Sequence, residues 1–260
     1  MGTVTKALTL LDYFSVEKPE IGLSELSRLS GFNKATVYRM MTELLDSRFV
    51  EQVNNDRTYR IGTAVLRLSA LREAVVPLRE TVKNTVRELA DKTGETAHFS
   101  ILDGGELSTL SYAYSSDHGT RVMMDDAAIL PIHATSSGLA VLAYSSSDFV
   151  DLVLSKPLKG RTPFTVIDPW KLRQMIEQTQ KDGIAEYVSG FESDVHSFAS
   201  PVFNASRRVF GAIAVAAPVN RVGTRNSDFI RLSVFEAARS LTQLTGGFDP
   251  LGLTTSDTRI

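Results

Sequence analysis

The sequence predicts an α+β protein: a winged helix-turn-helix at the N-terminal end, followed by a larger body of strands and helices. Three observations carry that expectation. Val37, Met40, Met41, Leu44 and Leu45 recur on a 3.6-residue period, the mark of a helix with one buried stripe. The short link Ser30-Gly31-Phe32-Asn33 joins it to a preceding helix and holds the glycine that such corners often use. Two strand-like runs follow, residues 49–53 and 58–61. Asn54-Asn55-Asp56-Arg57 between them has turn chemistry.

The preceding helix is expected over about Ser24 to Ser30, with Leu23, Leu26 and Leu29 three apart and Ser24 as its cap. Asn33 caps the second helix through its side-chain oxygen. Opposite the apolar stripe lie Ala35, Arg39 and Thr42, flanked by Lys34, Thr36 and Tyr38. Any surface helix can carry such residues, but on the second helix of this corner they suit a major groove. Thr meets phosphate or a thymine methyl, and Arg forks onto a guanine edge. Thr36 and Arg39 are the foremost candidates for base contacts. Arg57, Tyr59 and Arg60 are expected to project from the wing toward backbone phosphate or the minor groove, and Ser24 and Asn33 complete the expected contact set.

A chain of 260 residues favours two domains, and 43% hydrophobic with 22% charged residues describes a globular protein with a sizeable core. No apolar run approaches the roughly 20 residues that span a bilayer, and no signal-peptide pattern opens the chain. The absence of cysteine excludes disulfides, Cys-based zinc sites and Cys nucleophiles, and fits a cytoplasmic protein. Net charge is −2, and residues 1–62 hold eight Lys and Arg against eight Asp and Glu. A neutral head binds DNA weakly by itself, so a homodimer or homotetramer is expected.

The first helix is expected from about Val4 to Ser15, burying Val4, Ala7, Leu8, Leu11 and Phe14, with Leu10 and Tyr13 on a flank. The anticipated divisions are a DNA-binding domain over 1–62, a linker helix over 63–76, a body over 77–247 and a poorly ordered tail over 248–260. Pro77 suits a first helical position, and Leu78, Val82, Val86 and Leu89 line one face of the helix ending at Gly94. In the body, residues 96–102 alternate, with Ala97, Phe99 and Ile101 on one side. A turn at Asp103-Gly104-Gly105-Glu106 leads into a second strand, and residues 119–124 are expected as another. An extended run over 129–132 meets a helix starting near Thr135 or Ser136. Helices follow over 148–155 and 168–182, then strands over 184–189, 195–203 and 209–217, and a last helix over 227–244. The run over 209–217 has the small and apolar residues of a strand covered on both faces.

Catalytic signatures are absent: no GxSxG elbow, phosphate loop, GxGxxG or HExxH occurs. His133 and His196, if near Ser136 or Ser197, would permit a hydrolase, and with Asp194 a metal site. As structural groups or pocket lining they need neither. A ligand pocket is the better use of these residues, and no cofactor or metal is expected. First-turn N–H groups over 135–138 attract carboxylate or phosphate. Ser136, Ser137 and Gly138 would line that end, and Leu130, Ile132, Ala214 and Ala216 an apolar wall. Tyr187 and Ser197 complete the expected effector set.

Several separated stretches then resemble one family. The head up to YRIG, LADKTGET, LPIHATSSGLAVLA, the TPFTVID run, DGIAEYVSGFESDVHSFASPVF and GAIAVAAPVNR are similar, in order, to the isocitrate lyase regulator (IclR) family of bacterial transcription factors. The resemblance covers nearly the whole chain. It implies a winged helix-turn-helix, a linker helix and a GAF-like effector domain, acting as dimers or dimers of dimers on double-stranded operator DNA, with small organic acids as effectors. The expected mechanism is that effector binding near Ser136, Ser137, Tyr187 and Ser197 shifts the geometry of the effector domain, and that the linker helix resets the spacing of paired heads on DNA. Two rival classes, a hydrolase built on the body and a winged-helix protein-interaction module, would need the same residues for other ends. There are departures from the pattern. Ser136, Ser137 and Leu139 stand where relatives often have a small residue followed by Gly-Lys. Tyr187, Val188, Ser189 and Gly190 precede Glu192 where acidic pocket residues are common. Ala214 and Ala216 replace serines found in some relatives, which predicts a more apolar wall.

Overall fold

The computed structural model describes residues 2–14, 18–53, 58–75, 77–125 and 129–248. Contacts divide the chain into two units, residues 1–77 and 78–260. The first unit runs α1 (Thr3–Leu11), β1 (Ile21–Gly22), α2 (Leu23–Ser30), α3 (Lys34–Asp46), β2 (Val50–Val53), β3 (Thr58–Ile61) and α4 (Thr63–Val75). The stripe on α3 is buried as its period requires: Val37, Met40, Met41 and Leu44 join Leu10, Ile21, Leu23 and Leu26 in one core. Gly31 ends α2 at φ 70°, a left-handed conformation that glycine adopts without strain, and the chain turns there into α3. β1, β3 and β2 form an antiparallel sheet in that spatial order.

Three expectations for this unit need correction. Ser24 does not cap α2; Gly22 holds that position and Ser24 sits exposed inside the helix. In α1 the fully buried residue is Leu10, whereas Val4 is 74% and Leu8 49% exposed. The buried face of α1 is set by where α2 and α3 pack, and apolar residues around most of its circumference left that choice open. The helix also ends at Leu11 rather than near Ser15. On α4, Leu66, Leu68, Leu71 and Val75 are all exposed.

The second unit opens with α5 (Leu78–Thr93). Strands β4 (Thr96–Asp103), β5 (Glu106–Ala113) and β6 (Ile129–Leu130) follow, then helices α6 (Ser136–Leu142), α7 (Ser147–Ser155) and α8 (Pro169–Asp182). β7 (Ala185–Val188), β8 (Val195–Phe203), β9 (Val209–Pro218), a 3-10 turn (Val219–Arg221) and α9 (Thr224–Leu244) complete it. Six antiparallel strands stand in the order β6-β5-β4-β9-β8-β7. Alternation sorts their side chains. Ala97, Phe99, Phe198, Ile213 and Val215 pack with α5 and α9. Leu107, Tyr187, Ala199, Ala212 and Ala214 pack with α6, α7 and α8. Strand β9 is therefore covered on both faces, which explains its unbroken run of small and apolar residues.

Residues 119–124 do not form the strand expected of them. Their backbone is held by side chains instead: Thr96 Oγ1 donates to Val122 O at 2.9 Å, Arg221 Nη1 to Thr120 O at 2.8 Å, and Met124 N donates to Tyr114 Oη at 3.0 Å. The strap so formed, with Arg121 stacked on the Tyr114 ring at 4.4 Å, lies over the α6 side of the sheet. The expected disordered tail falls almost wholly outside the described residues.

Candidate functional sites

On the head, the solvent face of α3 presents Lys34, Ala35, Tyr38 and Arg39, all exposed, with Thr36 and Thr42 half-buried beside them. The Asn33 side-chain oxygen accepts from Thr36 N at 2.8 Å, a cap worth about 1 kcal/mol, so it is committed to the helix. Thr42 Oγ1 likewise turns back to Tyr38 O at 2.9 Å. Of the wing residues, Tyr59 does not project: it is 3% exposed and packs in the head's core. Alternation along β3 sends it inward, opposite the face that carries Thr58 and Arg60. Arg60 is exposed and pairs with Glu51 at 2.5 Å, an exchangeable surface contact. Arg57 lies outside the described residues. The face left free to meet a partner is thus Lys34, Ala35, Tyr38 and Arg39, with Ser24 exposed on α2.

In the second unit a chamber of about 100 Å³ opens between the sheet and α6. Leu130, Ser136, Ser137, Ser197 and Ala216 from the expected set line it. Four others do not. Gly138 is pressed against the Ile132 carbonyl, and Ile132 itself packs on the neighbouring core. Tyr187 is buried, its oxygen accepting from Val166 N at 2.8 Å and its pKa raised by that burial. Ala214 is a fully buried core residue. A period-2 pattern tells which face a residue takes, not how far along the face a cavity extends.

His98, Val122, Met123, Met124, Asp125, Phe191, Glu192 and Val195 also line the chamber and are outside the expected set, as is Thr135, expected as a cap and as one of the first-turn N–H donors. One of these was within reach: placing Ala97, Phe99 and Ile101 on one side of β4 puts His98 on the other. The strap residues came from a stretch misread as a strand. Thr135 does cap α6, accepting from Gly138 N at 3.1 Å. His98 Nε2 lies 3.2 Å from Ser137 Oγ, and its Nδ1 is buried with no partner. Burial lowers the His98 pKa to about 4, so the ring is neutral at pH 7. Glu192 is pushed above the usual carboxylate range by burial and by the nearby Asp194 carboxylate.

His133 and His196 do not come together. His133 Nε2 meets Lys159 O at 3.0 Å, whereas His196 is held at 2.8 Å by Glu186, which also takes Arg231 at 2.6 Å. His196 stacks on Phe198, on the α9 side of the sheet. Among the described residues no three His, Asp or Glu gather as a metal site.

The family described as bacterial transcriptional regulator IclR C-terminal matches residues 73–243, and the IclR helix-turn-helix domain matches residues 3–54. The chain belongs to the IclR family. Over 255 residues it is 26% identical to the HTH-type transcriptional regulator XynR of Escherichia coli K12, covering 94% of this chain and 97% of that one. The crystal structure of a protein assigned as an IclR transcriptional regulator from Silicibacter sp. TM1040 is 52% identical. It superposes with a TM-score of 0.81, covering 98% of this chain and 100% of the other. An IclR homologue from Microbacterium hydrocarbonoxydans, solved in complex with 4-hydroxybenzoate, shares the fold at 21% identity and TM-score 0.57, covering 93% and 100% of the two chains. As an IclR protein the chain is a transcriptional regulator with a helix-turn-helix DNA-binding head and a C-terminal ligand-binding domain. Its relatives are named as regulators, not enzymes, which sets aside the hydrolase. The helix-turn-helix match equally disfavours a head that binds only protein.

Proposed function

We propose that this regulator binds operator DNA through Lys34, Thr36, Tyr38 and Arg39 of α3, and that a small organic acid in the chamber behind α6 modulates that binding. The observation that carries it is the chamber itself, whose lining combines the hydroxyl residues Thr135, Ser136, Ser137 and Ser197 with the apolar Leu130, Val122, Val195 and Ala216. Such a mixture suits a small molecule with one polar end. The 4-hydroxybenzoate complex of the Microbacterium protein supports the same chemical class. Effector binding changes DNA occupancy only through different affinities for two arrangements of the protein, and α4 is the proposed connection.

Arg39→Ala is expected to weaken binding to the gene's own upstream DNA by roughly tenfold or more in a gel shift, as loss of a base-reading Arg does. Binding as tight as wild type would remove α3 as the reading helix. Homodimers or homotetramers are proposed from the apolar surface of the head. Leu68, Leu71 and Val75 follow a three-then-four spacing along α4, and Val4 and Leu8 are exposed one turn apart on α1. Sedimentation should find Leu71→Glu shifted toward monomer at concentrations where wild type is associated; an unchanged distribution rejects α4 as the seam.

A further inference from the structure

We propose that His98 reads an anionic effector by taking up a proton as the anion enters the chamber. This rests on the reading of the chamber as an organic-acid site. Among its described lining residues there is no Lys or Arg, and the two charged side chains, Asp125 and Glu192, are acidic. An anion placed there meets no standing positive charge, and desolvating an unpaired carboxylate is costly. Among the described lining residues His98 is the one group that can supply the missing charge, and it is placed to do so.

The geometry provides a route. His98 Nε2 lies 3.2 Å from Ser137 Oγ, and both groups line the chamber. With the ring neutral, the Ser137 hydroxyl can donate to Nε2. Once a proton from solvent adds to the imidazole, Nε2–H donates to Ser137 Oγ, and the Ser137 O–H turns free to donate to the ligand carboxylate. One proton is gained and no covalent bond other than N–H forms. Nδ1, buried without a partner, leaves the ring unfastened on its other side. Burial keeps the ring neutral by holding its pKa near 4. A carboxylate alongside pushes that value up.

The groups facing His98 are few. Thr96 and Ser100 flank it on β4, Tyr112 and Ala214 pair with it from β5 and β9, and Ser136 and Ser137 come from α6. Asp125 of the strap and Glu192 of the loop before β8 face the chamber. Glu192, already held high, is the rival proton acceptor.

Calorimetry of the full chain with 4-hydroxybenzoate, benzoate and pyruvate, between pH 6 and 8 in buffers of different ionisation enthalpy, tests this. The expected result is uptake of close to one proton per chain and a Kd that rises toward about tenfold per pH unit until the bound ring titrates. The neutral probe 4-hydroxybenzamide should bind with a flat pH profile. His98→Asn should abolish uptake, and Glu192→Gln should keep it. Acid binding without uptake, or uptake that survives His98→Asn and disappears in Glu192→Gln, overturns the assignment while leaving the chamber as effector site. Failure of all three acids to bind at any pH removes the organic-acid reading and this inference with it.

Discussion

Arg221→Ala should destabilise the effector domain by about 3–5 kcal/mol, the cost of leaving a buried charge without its partner. The Glu95 side chain is 2% exposed, and both its oxygens are taken by one guanidinium: Oε1 by Nε at 2.8 Å and Oε2 by Nη2 at 2.6 Å. The same guanidinium donates through Nη1 to Thr120 O in the strap. Removing it strands the Glu95 carboxylate and releases one of the strap's three tethers. Thermal unfolding should drop by roughly 6–20 °C for a unit of this size. Combining Arg221→Ala with Glu95→Gln should recover much of the loss, since no charge is then left buried. If the double variant is no more stable than Arg221→Ala, the cost lies in the strap and not in the stranded charge.

Gly138→Ala is expected to be comparably severe. A Cβ at this position would stand 1.9 Å from the Ile132 carbonyl oxygen and 2.5 Å from its carbon, and backbone cannot yield as a flexible side chain can. The neighbouring loop is itself pinned. Ala134 N donates to Pro131 O at 3.0 Å, and Thr135 Oγ1 to the same oxygen at 3.3 Å. Overpacking costs about 1–3 kcal/mol where side chains yield, and a clash with backbone belongs at the upper end, about 3 kcal/mol; the displaced α6 would carry Ser136 and Ser137 away from His98. A melting temperature lowered by at least roughly 6 °C is expected, with loss of ligand response. Gly119→Ala, which meets nothing within 4 Å, serves as the control and should change little. Equal stability of both variants would show that α6 can shift freely, and would undo the claim that glycine is required for close approach.

Much of the molecule was readable from the chain because its signals are local. The stripe on α3, the Asn33 cap, the glycine corner after α2 and the turn between β4 and β5 all depend on residues a few positions apart. So does the unbroken apolar run of β9. The chamber was half readable: Ser136, Ser137, Leu130, Ser197 and Ala216 line it as expected, whereas Ile132, Gly138, Tyr187 and Ala214 belong to the packing around it. Glycine at 138 looks like a ligand-facing small residue in sequence, yet its smallness serves the Ile132 backbone.

The sequence by itself determined the order of elements, the helix-turn-helix, the sheet-and-helix body and the family, because periodicity, capping and turn chemistry act over short spans. Only the tertiary structure decided which apolar face of α1 is buried. It also turned Tyr59 inward and made residues 119–124 a strap held by Thr96, Tyr114 and Arg221. In the same way it brought His98 within hydrogen-bond distance of Ser137, in a chamber with no Lys or Arg among its described lining residues. These depend on contacts between residues as far as 126 positions apart, as for Glu95 and Arg221. No pattern of neighbouring residues records such a distance.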